Sequence, residues 1–261
     1  VLSKRCGNLI GEIAALEALM HLDYIIGDFA EAKEQGQQIL RRVQTLGSQG
    51  GDAELLSNDT SYSIQSTACI YLGAIAKIDD DYGQAAAYFR RALELCQTTG
   101  KVMGILDARM NLADLARNKQ NYAAARPEYE EVVQIACEVS NRRAEGIARY
   151  ELGDVLRGLG NYSLALTQFT QALALFDEID DPLLQTYASS SFASLYAVLG
   201  TVERATEALQ AAFRYSEPLT MPDAKPSAWL AAALLYQQQG DYEQAFHYAI
   251  CCREDAQRHQ S

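Results

Sequence analysis

An all-α fold, a right-handed α-α superhelix of six stacked helical hairpins, is what this sequence predicts, and three observations predict it. A pattern returns every forty residues, with Leu152, Gly153, Gly160, Tyr162, Ala165, Phe169, Ala172 and Leu173 as its fullest copy. Its turn position falls at Asp80, Gln120, Gly160, Gly200 and Gly240. A period of twenty to fifty residues means units that stack on their neighbours instead of folding around one centre. Within each copy the apolar residues recur at three- and four-residue steps, as on one face of a helix. Ala165, Phe169, Ala172 and Phe176 make one such stripe, and Ala148, Leu152, Val155 and Leu156 another. Between the two stripes stand Gly160 and Asn161, a turn residue followed by a candidate N-cap.

Each hairpin follows from these elements in turn. Gly153 and Ala165 are small enough to let two helices approach, while Tyr162 and Phe169 fill the space towards the next hairpin, so a larger side chain at Ala165 should jam the pair. The copies place hairpins at about 8–47, 62–98, 102–138, 142–178, 182–217 and 226–259, in one domain spanning 1–261. From Gly27 to Asp80 the spacing is 53 residues, and the surplus lies in a segment rich in Gly, Ser, Asn and Asp, an insertion at 47–61. It reads as a tolerated surface loop or as a flap over a binding face. Pro218, Pro222 and Pro226 should end one helix near Glu217 and start the sixth hairpin at Pro226 or Ser227, with a shortened first helix. Pro127 should bend the second helix of the third hairpin.

These motifs resemble the tetratricopeptide repeat, whose L-G-x-x-Y…A-x-x-x-F…A pattern matches Leu72, Gly73, Tyr82, Ala85, Phe89 and Ala92, then Leu112, Tyr122, Ala125 and Tyr129, with the family's Trp at Trp229. Leu19, Gly27, Phe29 and Ala32 carry it in the first copy; Ala193, Gly200, Ala205 and Ala212 carry a weaker one, with Val202 at the aromatic position. The usual unit is 34 residues. Forty-residue variants resemble the arrays of spindle-orientation adaptors, kinesin light chains and bacterial multidomain regulators built on a signal-transducing ATPase. The stretches around 93–115 and 174–196 are most similar to the bacterial group.

The resemblance implies that the first helix of each hairpin lines a concave groove. Carried over residue by residue, the ligand-facing positions are Asp107, Met110, Asp114, Arg117 and Asn118 in the third copy, Ile147, Tyr150, Asp154 and Arg157 in the fourth, and Tyr187, Ser190 and Ser194 in the fifth. Thr67, Ile70, Ala74 and Lys77 hold the same places in the second. Copies three and four share Arg109, Asp114, Arg117 and Arg149, Asp154, Arg157. Each Asp–Arg pair is either a solvated ion pair at i, i+3 or part of a ladder able to hold a ligand carboxylate or peptide backbone. Arg109 and Arg149 lie on another face and should cross-link neighbouring helices. Tyr82, Tyr122, Tyr162 and Tyr242 occupy a packing position.

Composition sets the function class. A net charge of -12 disfavours nucleic acid and anionic lipid as direct partners. No stretch approaches the roughly 18 apolar residues of a membrane span. Cys6, Cys69, Cys96, Cys137, Cys251 and Cys252 lack metal-ligand spacing and read as buried free thiols of a cytoplasmic protein, without a cofactor. No nucleophile, phosphate-loop or metalloprotease motif stands in the chain, so no catalysis is expected. The first residue is not Met, which points to a processed or excised segment, and no polar cap follows the last copy. The expected function is a noncatalytic scaffold for a peptide or partner protein. The alternative is the signal-sensing segment of a larger bacterial regulator, with other domains of the parent chain, or a second copy at the C-terminal repeat, as further partners.

Overall fold

A computed structural model describes residues 2–48, 57–219 and 224–258. Among these residues every regular element is a helix: α1 (Leu2–Ile26), α2 (Phe29–Ser48), α3 (Asn58–Ile78), α4 (Tyr82–Thr99), α5 (Val102–Asn118), α6 (Tyr122–Glu138), α7 (Arg142–Gly158), α8 (Tyr162–Glu178), α9 (Pro182–Val198), α10 (Val202–Ser216), α11 (Ala224–Gln239) and α12 (Tyr242–Arg258). They group into two compact units, residues 1–121 and 122–261.

One local structure sets the length of nearly every helix. At Gly160 the chain turns left-handed, with φ of 75°, and two amides fold back over the end of α7: Gly160 N–H donates to Arg157 (3.0 Å) and Asn161 N–H to Leu156 (2.8 Å). That is the Schellman closure, which satisfies carbonyls left open at a helix end. The same pair of bonds closes α3 at Asp80, α5 at Gln120, α9 at Gly200 and α11 at Gly240. It also closes the helices between hairpins, at Gly100, Ser140 and Asp180. The forty-residue period is therefore two steps of twenty, each one helix and one left-handed residue. The next residue starts the following helix: Asp81, Asn141, Asp181 and Asp241 each accept a bond from the backbone N–H three residues on. Asn161 holds the N-cap position of α8 but its side chain makes no capping bond.

Packing follows the small residues. Phe89 and Phe169 are fully buried, and each ring lies over a glycine of the partner helix. A Cβ on Gly73 would stand 2.6 Å from Phe89, and one on Gly153 2.5 Å from Phe169. In the first unit, Ala85 and Phe89 of α4 pack with Ala76 of α3 and Leu115 of α5, edged by Tyr82 and Leu112. A second layer joins Ile13 and Met20 of α1 to Ala32, Ile39 and Val43 of α2 and to Ala68 and Ile75 of α3. In the second unit, Ala205 and Leu209 of α10 pack with Ala232 and Leu235 of α11 in the register that Ala85 and Phe89 keep against Leu112 and Leu115.

The structure corrects several expectations. The insertion read at 47–61 is shorter at both edges, because α2 runs to Ser48 and α3 begins at Asn58, where Ser57 accepts a bond from Thr60 N–H at 3.2 Å; residues 49–56 lie outside the described residues. α11 starts before Pro226, since a proline in the first turn removes only an N–H that has no intrahelical partner. With 16 residues it is one residue shorter than α5, α7 and α9. Pro222 lies outside the described residues. α6 spans Tyr122–Glu138 with Pro127 inside it. Of the cysteines, Cys69 and Cys96 are buried, Cys251 and Cys252 half-buried and Cys137 exposed; the side chain of Cys6 is outside the described residues. Burial pushes the Cys69 thiol up to about 11, so it packs as a small apolar group.

The glycine–aromatic contact gives opposite outcomes at two helical glycines. Gly153→Ala should lower stability, by about 1–3 kcal/mol from overpacking against at most ~1 kcal/mol returned by helix propensity. Gly11, whose Cβ would meet nothing within 4 Å, should gain about 0.5–1 kcal/mol as Gly11→Ala. Urea midpoints that shift in the same direction for both would overturn this account.

Candidate functional site

The first helices of the hairpins are α1, α3 and α5 in the first unit and α7, α9 and α11 in the second. In the first unit their common face gathers polar groups that packing does not require. Lys101, in the turn before α5, donates from Nζ to Ser63 Oγ at 3.1 Å and to Thr67 Oγ1 at 3.4 Å, both on α3. Its charge also acts on Glu17 of α1 and Asp107 of α5. Burial raises both carboxyl groups above their ordinary values, and Lys101 pulls each back. Asp107 is exposed at the surface, so its carboxyl is only partly withdrawn from water. Tyr71 of α3, on which the Asp107 charge acts, lies edge-on to His21 and to Tyr24 of α1, with centroids 5.8 and 5.2 Å away.

Further along the same face, Asp114 accepts from Lys77 Nζ at 3.2 Å and stands 3.9 Å from Arg117. The i, i+3 pair is therefore the looser contact, and the bridge from α3 to α5 the closer one. Met110 is half-buried and Asn118 exposed.

In the second unit the corresponding face is largely covered. Asp154 and Arg157 form an ion pair at 2.9 Å. Ile147, Tyr150 and Tyr187 pack against Ala172, Phe176, Leu184 and Ala188. Tyr150 Oη accepts from Ser191 Oγ at 3.3 Å, and burial drives its phenol strongly upward, with the Asp154 charge adding to the shift. Ser190 and Ser194 are buried, against the expectation that they face an open groove. Ser190 donates to Thr186 O at 2.8 Å and meets Ser227 of α11 at 3.2 Å. The reason lies in α9, where Ala188, Ser189, Ser190, Ser191, Ala193, Ser194 and Ala197 leave no bulky residue to hold neighbours away. α9 packs against α7, α8, α10 and α11.

Arg149 lies inside the hairpin. It bonds Glu145 Oε1 at 2.9 Å and reaches Gln168 and Gln171 of α8 at 3.2 and 2.8 Å, the helix cross-link expected of it. Arg142 adds a second charge at 3.4 Å from Glu145. Burial alone would raise the Glu145 carboxyl, but Cys137, Arg149 and Arg142 outweigh it and hold it below 4.5.

Sequence reasoning missed Lys101, which precedes a helix, and also Glu17, His21 and Tyr24. The latter three stand 53 residues before Ile70, Ala74 and Lys77, so moving the second copy back across the insertion would have found them. Among the described residues no three His, Cys, Asp or Glu side chains are placed to share a metal ion, and no helix is long and apolar enough to cross a membrane.

Helical hairpins stacked in register, with a polar first-helix face, define a solenoid repeat protein. Models of the tetratricopeptide repeat match residues 104–178, 150–212 and 226–249, and the chain belongs to that family. Among solved structures, the apo form of RapI is similar at 16% identity and a TM-score of 0.73, over 96% of this chain and 85% of that one. A Rap protein complexed with competence and sporulation factor gives 12% and 0.63, over 95% and 75%. A signal transduction ATPase with numerous domains from Pyrococcus horikoshii, which has a tetratricopeptide repeat sensor, gives 12% and 0.67, and the match covers 97% of this chain but 44% of that protein. At these identities the likeness is one of fold. No curated protein matches in sequence.

The Glu145 cluster is testable through acid. A carboxyl held below its ordinary value contributes fully at neutral pH, and its contribution disappears as pH falls through the folded-state value. Glu145→Gln should cost about 2 kcal/mol near pH 7, where Arg149 loses its charged partner, and the deficit should shrink below pH 4.5. Thermal melts of both proteins across that range check it; an unchanged deficit at low pH would sink the assignment.

Proposed function

We propose that this chain is a noncatalytic protein-interaction scaffold, and that the first-helix face of residues 1–121 holds a segment of a partner protein. The observation that carries this is the cluster of Glu17, Lys101 and Asp107 with Ser63, Thr67 and the Tyr24, Tyr71 and His21 rings. Burial raises the Glu17 and Asp107 carboxyl groups while the one Lys101 ammonium, itself held by Ser63 and Thr67, acts on both, a grouping that packing of the hairpins does not demand. Such groups can bond peptide amides and charged side chains, and the rings supply contact area at small entropic cost. Asp107, Met110, Asp114, Arg117 and Asn118 belong to this face. Tyr150, Tyr187, Ser190 and Ser194 take a packing role in the reading proposed here, and Asp154 and Arg157 a secondary one.

The likeness to a Rap protein crystallised with a bound factor supports a binding role for the fold class. A second reading, a sensor segment within a larger regulator, is favoured by the similarity to the tetratricopeptide repeat sensor of the archaeal signal-transducing ATPase. Under either reading the chain acts by binding. A cytoplasmic location is part of the same proposal.

Lys101→Glu and the double change Glu17→Lys with Asp107→Lys should each weaken the principal co-purifying partner by about tenfold or more, near 1.4 kcal/mol. Arg117→Ala should have a smaller effect and Arg157→Ala little. Calorimetric titration of that partner, with circular dichroism to verify folding, measures this. Undiminished affinity in the folded charge-reversed variants would rule the face out.

A further inference from the structure

Within residues 122–261 the junction between α10 and α11 departs from the two others of its kind, α6–α7 and α8–α9. Carried forty residues on, the facing ends of α8 and α9 would fall at 218 and 222, but α10 stops at Ser216 and α11 begins at Ala224. Pro218 supplies no N–H with which to extend α10. Ser216 also stands forty residues after Phe176, whose ring is fully buried in the preceding repeat. Shorter helix ends and a smaller side chain leave a cleft of about 480 Å³. Phe213, Arg214, Ser216 and Glu217 line one side of it, and Lys225 and Trp229 of α11 the other.

At the two earlier junctions the same positions close on themselves. Asp177 and Gln185, in the register of Glu217 and Lys225, share a hydrogen bond of 2.7 Å donated by Gln185 Nε2. One repeat further back the register of Glu217, Lys225 and Trp229 holds Cys137, Glu145 and Arg149, the cluster described above. The α10–α11 junction lacks such a closure: among the described residues the side chains of Arg214, Glu217 and Lys225 form neither an ion pair nor a hydrogen bond. By contrast Arg126, Arg142, Arg143, Arg149 and Arg157, the arginines of α6 and α7, are each paired with a carboxylate. Two cations against one carboxylate leave the cleft positive, in a chain whose net charge is -12. Its flat apolar surface comes from Phe213 and Trp229, both half-buried. Phe213 is steadied by the Tyr248 ring of α12 at 6.0 Å, which in turn stacks on Tyr236 at 5.7 Å.

We propose that this cleft binds a small organic acid built on a flat ring. Arg214 and Lys225 hold the carboxylate by charge-assisted hydrogen bonds, and the ring lies against Trp229 and Phe213. Glu217 repels a second anionic group, so a monoacid is preferred over a diacid. The volume argues for a small molecule: pockets that take one measure about 300–1,000 Å³, whereas a helix laid in a groove engages positions over several turns. This cleft lies only between the ends of two helices. It shares no residue with the face assigned to a partner segment, so it stands or fails independently of that reading.

Trp229 is the only tryptophan of the chain, so its indole N–H gives one signal of its own in a proton–nitrogen correlation spectrum. Titrating the intact chain at neutral pH with naphthoate, up to the solubility limit of the probe, should shift that signal saturably. Naphthamide, which has the same ring without the charge, should bind about tenfold more weakly. Arg214→Ser and Lys225→Ser replace exposed side chains and should leave the circular dichroism spectrum intact. Each should weaken naphthoate by about five- to tenfold and leave naphthamide unaffected. A Trp229 signal that does not move, an amide that binds as tightly as the acid, or naphthoate binding that survives both substitutions would each overturn the proposal.

Discussion

The left-handed residue that closes most of the helices is the constraint on which the rest of this structure depends. At Asp80, Gly100, Gln120, Ser140, Gly160, Asp180 and Gly200 the backbone takes positive φ and two amides return to the preceding turn. Four of these seven positions are not glycine, and each holds a conformation that an L residue adopts at some cost. That cost is accepted because the closure fixes where the helix stops. A stop every twenty residues keeps Phe89 over Gly73 and Phe169 over Gly153, and every apolar stripe meets its partner without slipping.

The register does not fix what a first-helix face does. In residues 1–121 that face carries charged and hydroxyl groups, with Asp107 exposed; in residues 122–261 several of the equivalent positions are occupied by packing. The difference comes from α9, whose run of Ala and Ser lets α11 come close enough for Ser190 to touch Ser227. Side-chain size on one helix therefore decides whether a face of this kind is open.

Most of the fold was legible because the repeat couples position to burial. Leu152, Gly153, Ala165 and Phe169 read as core from their spacing, and they are core. Polar side chains were less legible. Spacing identified Asp154 and Arg157 as a pair but could not show that Asp114 leans towards Lys77 of the previous hairpin, because that choice depends on distances between helices. Ser190 and Ser194 were misread for the same reason: the pattern gives the direction of a side chain but not the distance to the neighbouring helix. Lys101 escaped notice because turn residues carry no periodic signature, and Tyr242 was misread because a packing position packs only where another element lies against it.

The twenty-residue step also bears on how such a chain can change in length. Because most of the helices are ended by a left-handed residue of their own, a hairpin is a module of forty residues, and duplication or deletion of that length leaves every other face in register. A gain of any other size inside a hairpin would rotate the following stripe away from its partner. The one departure here, thirteen residues beyond the period between Gly27 and Asp80, is shared between the connection of α2 to α3 and the helix ends on either side of it, outside the turn of either hairpin. The array thus records which insertions its architecture tolerates.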